Sequence, residues 1–160
     1  MRRSLVGGAL ALMMVTACGA LPTCSSTTSN KGPCTNAAVA HHAYVVVQHL
    51  SGAWIEGCVG FSETSIDGQT LMDRSGIEYK AQSVTSGKVV CHVDREPSQF
   101  TECFPQNRPY WALFFEANGH WSAAPGGFTD VHLKDREAMG WHYVQAGDPS
   151  PSPPPMPQEI

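Results

Sequence analysis

Hydrolytic or group-transfer chemistry needs a nucleophile with an oriented base, or two carboxylates facing each other. The 160-residue chain offers neither as a recognisable set. Asp67, Asp94, Asp130 and Asp135 fall at expected turns and strand ends, the usual places for Asp. Seven His and six Cys are present, yet no pair has C-x-x-C or H-x-x-x-H spacing, so a tetrahedral zinc site has no obvious donor set. The richest stretch is Gly87 to Trp121, where Cys91 and Cys103 bracket a polar loop and an aromatic run follows with Tyr110, Trp111, Phe114, Phe115 and Trp121. Aromatic residues at this density build a core first and a ligand platform second. The chemistry expected is therefore noncovalent binding, with no catalysis and no resident metal.

The first residues carry an address. Met1 to Ala17 has the parts of an export signal: Arg2 and Arg3, the apolar run Leu5 to Val15, and small residues before Cys18. That run is too short to span a bilayer. Val15, Thr16, Ala17 and Cys18, followed by Gly19, resemble the bacterial lipobox. The resemblance implies cleavage just before Cys18, a diacylglycerol on its thiol and an anchor in the cell membrane. The alternative is an ordinary secretory peptide cut after Ala17 or Ala20. Both place the protein outside the cytoplasm, where an oxidising compartment favours cystines. With Cys18 acylated, Cys24, Cys34, Cys58, Cys91 and Cys103 remain, and five cannot all pair within one chain. Sequence does not fix the connectivity. Pairing Cys91 with Cys103 and Cys34 with Cys58 leaves Cys24 in the linker. A formal charge of −4, with Lys and Arg few and scattered, lacks the basic face that nucleic acid requires.

These residues need a scaffold. Gly19 to Asn36 is rich in Ser, Thr, Gly and Pro, with too little apolar surface to offset its ordering entropy, and reads as a tether. Gly147 to Ile160 contains PSPSPPPMP and reads as an extended, mostly solvated tail of polyproline II character. Between them, Ala43 to His49 and Trp54 to Val59 form a hairpin around Ser51 and Gly52. A short helix over Gln69 to Ser75 follows, with Ser65 and Asp67 as N-cap candidates and Gly76 as the C-cap. Ile77 to Thr85 holds at most one short strand. Lys88 to Val93 is a strand, with Val89, Cys91 and Val93 on one side. Tyr110 to Glu116 is the next, and Asn118-Gly119 marks a type I′ turn. Val131 and Leu133 mark a short strand and Met139 to Val144 the last. The expected core is Val45, Val47, Leu71, Val89, Val93, Leu113, Phe115 and Trp141.

The order hairpin, helix, strand, cysteine loop, aromatic strand, turn and final strand resembles the transcobalamin-like C-terminal domain family (DUF4430) over roughly Ala43 to Val144. The matching pieces are SIDGQTLMDRSG, VCHVDREP, Tyr110-Trp111, Asn118-Gly119 and the closing Trp141-x-Tyr143. The pattern Cys91, Cys103, Tyr110, Trp111, Trp121, Gly140 and Trp141 also resembles an actinobacterial branch of secreted proteins. The resemblance implies an α+β fold, a β-grasp-like mixed sheet with one short helix, stapled by disulfide. The organisation expected is a lipoprotein signal peptide at 1–17, a flexible tether at 18–40, the β-grasp domain at 41–146 and a disordered proline-rich tail at 147–160. Two functions follow from the family. One is a membrane-anchored module without catalysis that binds a small ligand such as a cobalamin-type corrinoid. The other is a structural or adhesion module of the cell envelope with protein partners. They differ in whether Tyr110, Trp111, His120, Trp121, Trp141 and His142 open onto one exposed cleft, where His120 or His142 would be within reach of a corrinoid cobalt.

Overall fold

The computed structural model describes residues 30–31, 33–85 and 87–158. The expected export signal at 1–17, the expected acylation site Cys18, and Cys24 lie outside the described residues. Strands β1 (Asn30–Lys31), β2 (His41–Gln48) and β3 (Trp54–Phe61) lead to β4 (Ile66–Asp67), helix α1 (Gly68–Ser75) and the pair β5 (Tyr79–Val84) and β6 (Gly87–Val93). Next come β7 (Tyr110–Ala117), β8 (His120–Ala123), a 3₁₀ turn at Phe128–Asp130, β9 (His132–Leu133) and β10 (Ala138–Val144). Six strands make one sheet in the order β1-β3-β2-β10-β7-β8, while β4-β9 and β5-β6 form two separate ribbons. β10 runs parallel to β2 and antiparallel to β7, so the last strand is inserted between the first hairpin and the aromatic hairpin. The domain is thus α+β, mostly sheet, with one short helix and two disulfides.

Alternation along each strand divides the sheet into two faces. The inner face carries Val45, Val47, Val59, Trp111, Met139, Trp141 and Tyr143, and it is covered by Leu71 and Met72 of α1, by Val90 and Val93 of β6, and by Phe128. Five of the expected core residues, Val45, Val47, Leu71, Val93 and Trp141, are buried there, and Leu113 and Phe115 pack against them partly buried. Val89 is a correction. It is only partly covered and Val90 takes the core position, because the β5-β6 pairing slips by one residue between Lys80 and Ala81, which shifts the face each later side chain meets. β5 itself is a full six-residue strand, paired with β6 in a ribbon separate from the main sheet.

Local chemistry accounts for the ends of elements. Asn118 and Gly119 have φ of 56° and 80°, the two positive values that a type I′ turn demands, and β7 pairs β8 across them. Asp67 caps α1: its carboxylate accepts from the Thr70 backbone N–H at 2.9 Å and from the Thr70 hydroxyl at 2.6 Å. Gly76 closes the helix in the left-handed conformation. Partial burial pushes the Asp67 carboxyl up, but the Thr70 bonds outweigh it and hold the group below its ordinary value. A lowered folded value stabilises the fold above the ordinary carboxylate value and is lost as pH falls through the lowered one. Asp67→Ala is expected to cost about 1 kcal/mol at pH 7, a gap that narrows below about pH 4. Urea unfolding at pH 7 and pH 3 checks both parts.

Two segments expected to be solvated are docked instead. Residues 33–40 of the expected tether run beside β3: Cys34 is bonded to Cys58, Thr35 bridges Val59 in parallel, and the Gly60 N–H donates to Thr35 O at 2.7 Å. Gly60 permits this approach, since a Cβ there would lie 2.1 Å from the Asn36 carbonyl oxygen. The proline-rich tail folds back across the outer face of the sheet, where Pro154 is buried. Composition predicts extension for such a segment but says nothing of the apolar face its rings meet.

Candidate ligand recess

The Cys91–Cys103 disulfide joins buried Cys91 of β6 to the loop between β6 and β7, with a separation of 12 residues. This loop and β6 stand over the inner face of β7 and leave two neighbouring recesses. One, of about 270 Å³, is walled by Val90, Leu113, Ala124, Phe128 and Trp141, with Lys88 and Phe104 also contributing. The other, of about 200 Å³, is bordered by the disulfide, Phe100, Arg108 and Tyr143. Tyr110 and Trp111 belong to both. Phe104 is 65% exposed, a large apolar side chain left to solvent beside an apolar opening.

The polar groups around this site are mostly committed. The Trp111 Nε1–H donates to the Glu96 carbonyl at 3.1 Å. His92 donates from Nδ1 to the Pro97 carbonyl at 2.9 Å, and its Nε2 accepts the Arg95 N–H at 3.1 Å, which defines the Nδ1–H tautomer. His49, just after β2, reaches Glu96 at 2.8 Å and Asp94 at 3.1 Å, and its ring meets Trp111 edge-on at 6.3 Å. These bonds fix the first half of the loop to the sheet. Lys88 Nζ donates to Gln69 at 3.0 Å. Burial pushes the Tyr143 phenol up, and the charge of Glu96 adds to the shift, so its hydroxyl stays a neutral donor. Trp141 differs from all of these. It is 3% exposed, and its indole N–H is buried with no hydrogen-bond partner among the described residues.

The six aromatic and histidine residues singled out by sequence do not open onto one cleft. Trp111 and Trp141 are on the inner face and line the recess. Tyr110 borders it, while its hydroxyl donates to Asp148 O at 3.4 Å on the tail side. Trp121 packs with Tyr44, Ala112 and Phe114 on the outer face, and His142 is held there by Ser152. His120 is exposed at the β7-β8 turn. Residue-by-residue alternation is the reason: neighbours in a strand point to opposite faces. Val90, Ala124, Phe128 and Phe104 were not anticipated at the site. The Ala-Ala-Pro-Gly-Gly run before Phe128 carries turn chemistry but no periodicity that would aim it at β7.

No family model matches the chain, and no curated protein matches it. Among solved structures, its fold is similar to that of a candidate metal-binding protein from Ruminococcus gnavus ATCC 29149, with a TM-score of 0.50 and 14% identity, covering 67% of this chain and 99% of that one. At that identity the likeness extends to the fold alone. Among the described residues no group of three or more His, Cys, Asp or Glu is arranged to hold a metal ion. Nor is any helix of the described residues long and apolar enough to cross a membrane.

Proposed function

We propose that the chain is an extracytoplasmic binding module, anchored through Cys18, that holds a small, flat, largely apolar ligand. The observation that carries this reading is the apolar recess itself, walled by Trp111, Phe128 and Trp141 with Phe104 exposed beside it. Concave, mostly apolar recesses lined by aromatic side chains are the usual sites for small ligands. A β-grasp-like arrangement is supported by the strand order, with the last strand parallel to the first strand of the opening hairpin and the helix across the inner face. The two disulfides suit an oxidising compartment.

The recess favours a ligand smaller than a corrinoid, whose macrocycle exceeds about 270 Å³ of space. His142 already spends Nδ1 on the Ser152 carbonyl, and His120 lines neither recess. The alternative, an envelope module with a protein partner, draws on exposed Phe104. Titration of the purified chain with indole, purine and flavin analogues, cobinamide and cobalamin, followed by tryptophan fluorescence and thermal shift, separates these. A small aromatic ligand of the panel is expected to saturate. Ala124→Trp, which fills the recess, is expected to abolish the response. A flat response across the panel overturns the reading.

A further inference from the structure

The outer face of the sheet has an occupant of its own. After β10 the chain turns at Gly147, with φ of 75°, and returns antiparallel along β10. The Ser152 carbonyl is held by His142 Nδ1 at 2.7 Å, and two residues on, Pro154 packs over Gly140. That spacing follows from geometry, because two residues of polyproline II rise about 6.2 Å and two of a strand about 6.6 Å. The segment then reaches β3, where the Gln158 N–H donates to the buried carboxylate of Glu56 at 2.8 Å. The seat is shaped for the ring. A Cβ on Gly140 would lie 2.7 Å from Pro154 Cγ and 2.8 Å from the Trp121 ring, so a bare backbone and a tryptophan wall form the slot.

Six of the ten residues from Pro149 to Gln158 are prolines, which bring no backbone N–H. Such a segment cannot join a ladder. It binds by packing its rings against aromatic walls and by offering carbonyls to donors, the mode by which proline-rich segments are recognised between proteins. We propose that this outer face is a binding groove for an extended proline-rich segment of a partner protein, held closed in this chain by its own tail. A short connection gives the tail an effective concentration in the millimolar range, so it competes with a partner without being a permanent part of the fold.

The test keeps the full chain and places a protease site between Ala146 and Ser150. After cutting, a fluorescent peptide spanning Ser150 to Ile160 is titrated while near-UV circular dichroism follows the body. The cut body is expected to bind the peptide saturably, at least tenfold more tightly than the uncut chain does. A peptide with Ser in place of Pro153, Pro154 and Pro155 is expected not to bind, and Gly140→Val is expected to abolish binding of the native peptide. Absence of saturable binding by a folded body overturns the proposal. So does loss of the body's tertiary signal on cutting, which makes the tail a structural element, and so does equal binding of the peptide with Ser at 153, 154 and 155.

Discussion

Serine at both Cys91 and Cys103 is expected to lower the melting temperature by on the order of 10–20 °C and to remove binding at the inner recess. The cross-link closes a loop with a separation of 12 residues, and constraining such a loop in the unfolded chain is worth about 3 kcal/mol. In a domain of about 100 residues each kcal/mol moves the midpoint by roughly 4–8 °C. The local consequence goes further. Between β6 and β7 the loop is attached by the His49, His92 and Trp111 bonds near Asp94 to Pro97. Past Pro97 the disulfide is the main tether of the segment carrying Phe100, Phe104 and Arg108 to the recesses. Calorimetry and ligand titration on the same double variant check both parts. An unchanged midpoint removes the stabilising role, and a lower midpoint with binding intact moves the ligand away from this loop.

What the sequence made legible was local. The Asn118-Gly119 turn and the Asp67 and Gly76 caps follow from the chemistry of a few neighbouring residues, and the structure bears each out; it also shows both cystine pairs, whose connectivity the sequence alone left open. What it hid depends on register and on distant surfaces. Tyr110 and Trp111 are adjacent in β7, so the strand sends them toward different surroundings, and a list of aromatics cannot show that. The one-residue slip at Lys80 and Ala81 moved the core position from Val89 to Val90. The tail could be read as extended from its prolines alone, whereas its seat needs Gly140 of β10 and Trp121 of β8 side by side. Trp141 was marked as both a core and a ligand residue. Its ring serves both, packing in the core and lining the recess.

Gly68→Ala is expected to destabilise the fold by about 2–3 kcal/mol, the upper part of the range for overpacking. Propensity alone predicts the opposite, because Ala in a helix gains up to about 1 kcal/mol over Gly. Packing decides the sign. A Cβ on Gly68 would lie 2.2 Å from the Phe128 carbonyl oxygen and 3.0 Å from Met139 Sδ, and the first of these is backbone that no rotamer change can move. The Gly68 N–H also donates to Val131 O at 2.8 Å, which holds α1 against the 3₁₀ turn. Gly76→Ala is the matched control: its Cβ meets nothing within 4 Å, so only the positive φ of 77° penalises it, by about 1 kcal/mol. The difference reaches the recess through Phe128, whose ring meets Trp141 edge-on at 6.0 Å and forms part of the wall. Denaturant unfolding of both variants, paired with ligand titration, is therefore expected to show Gly68→Ala losing both stability and affinity, and Gly76→Ala losing stability alone. Equal losses would mean that the Phe128 turn yields freely to α1 and that the recess has no rigid wall on that side.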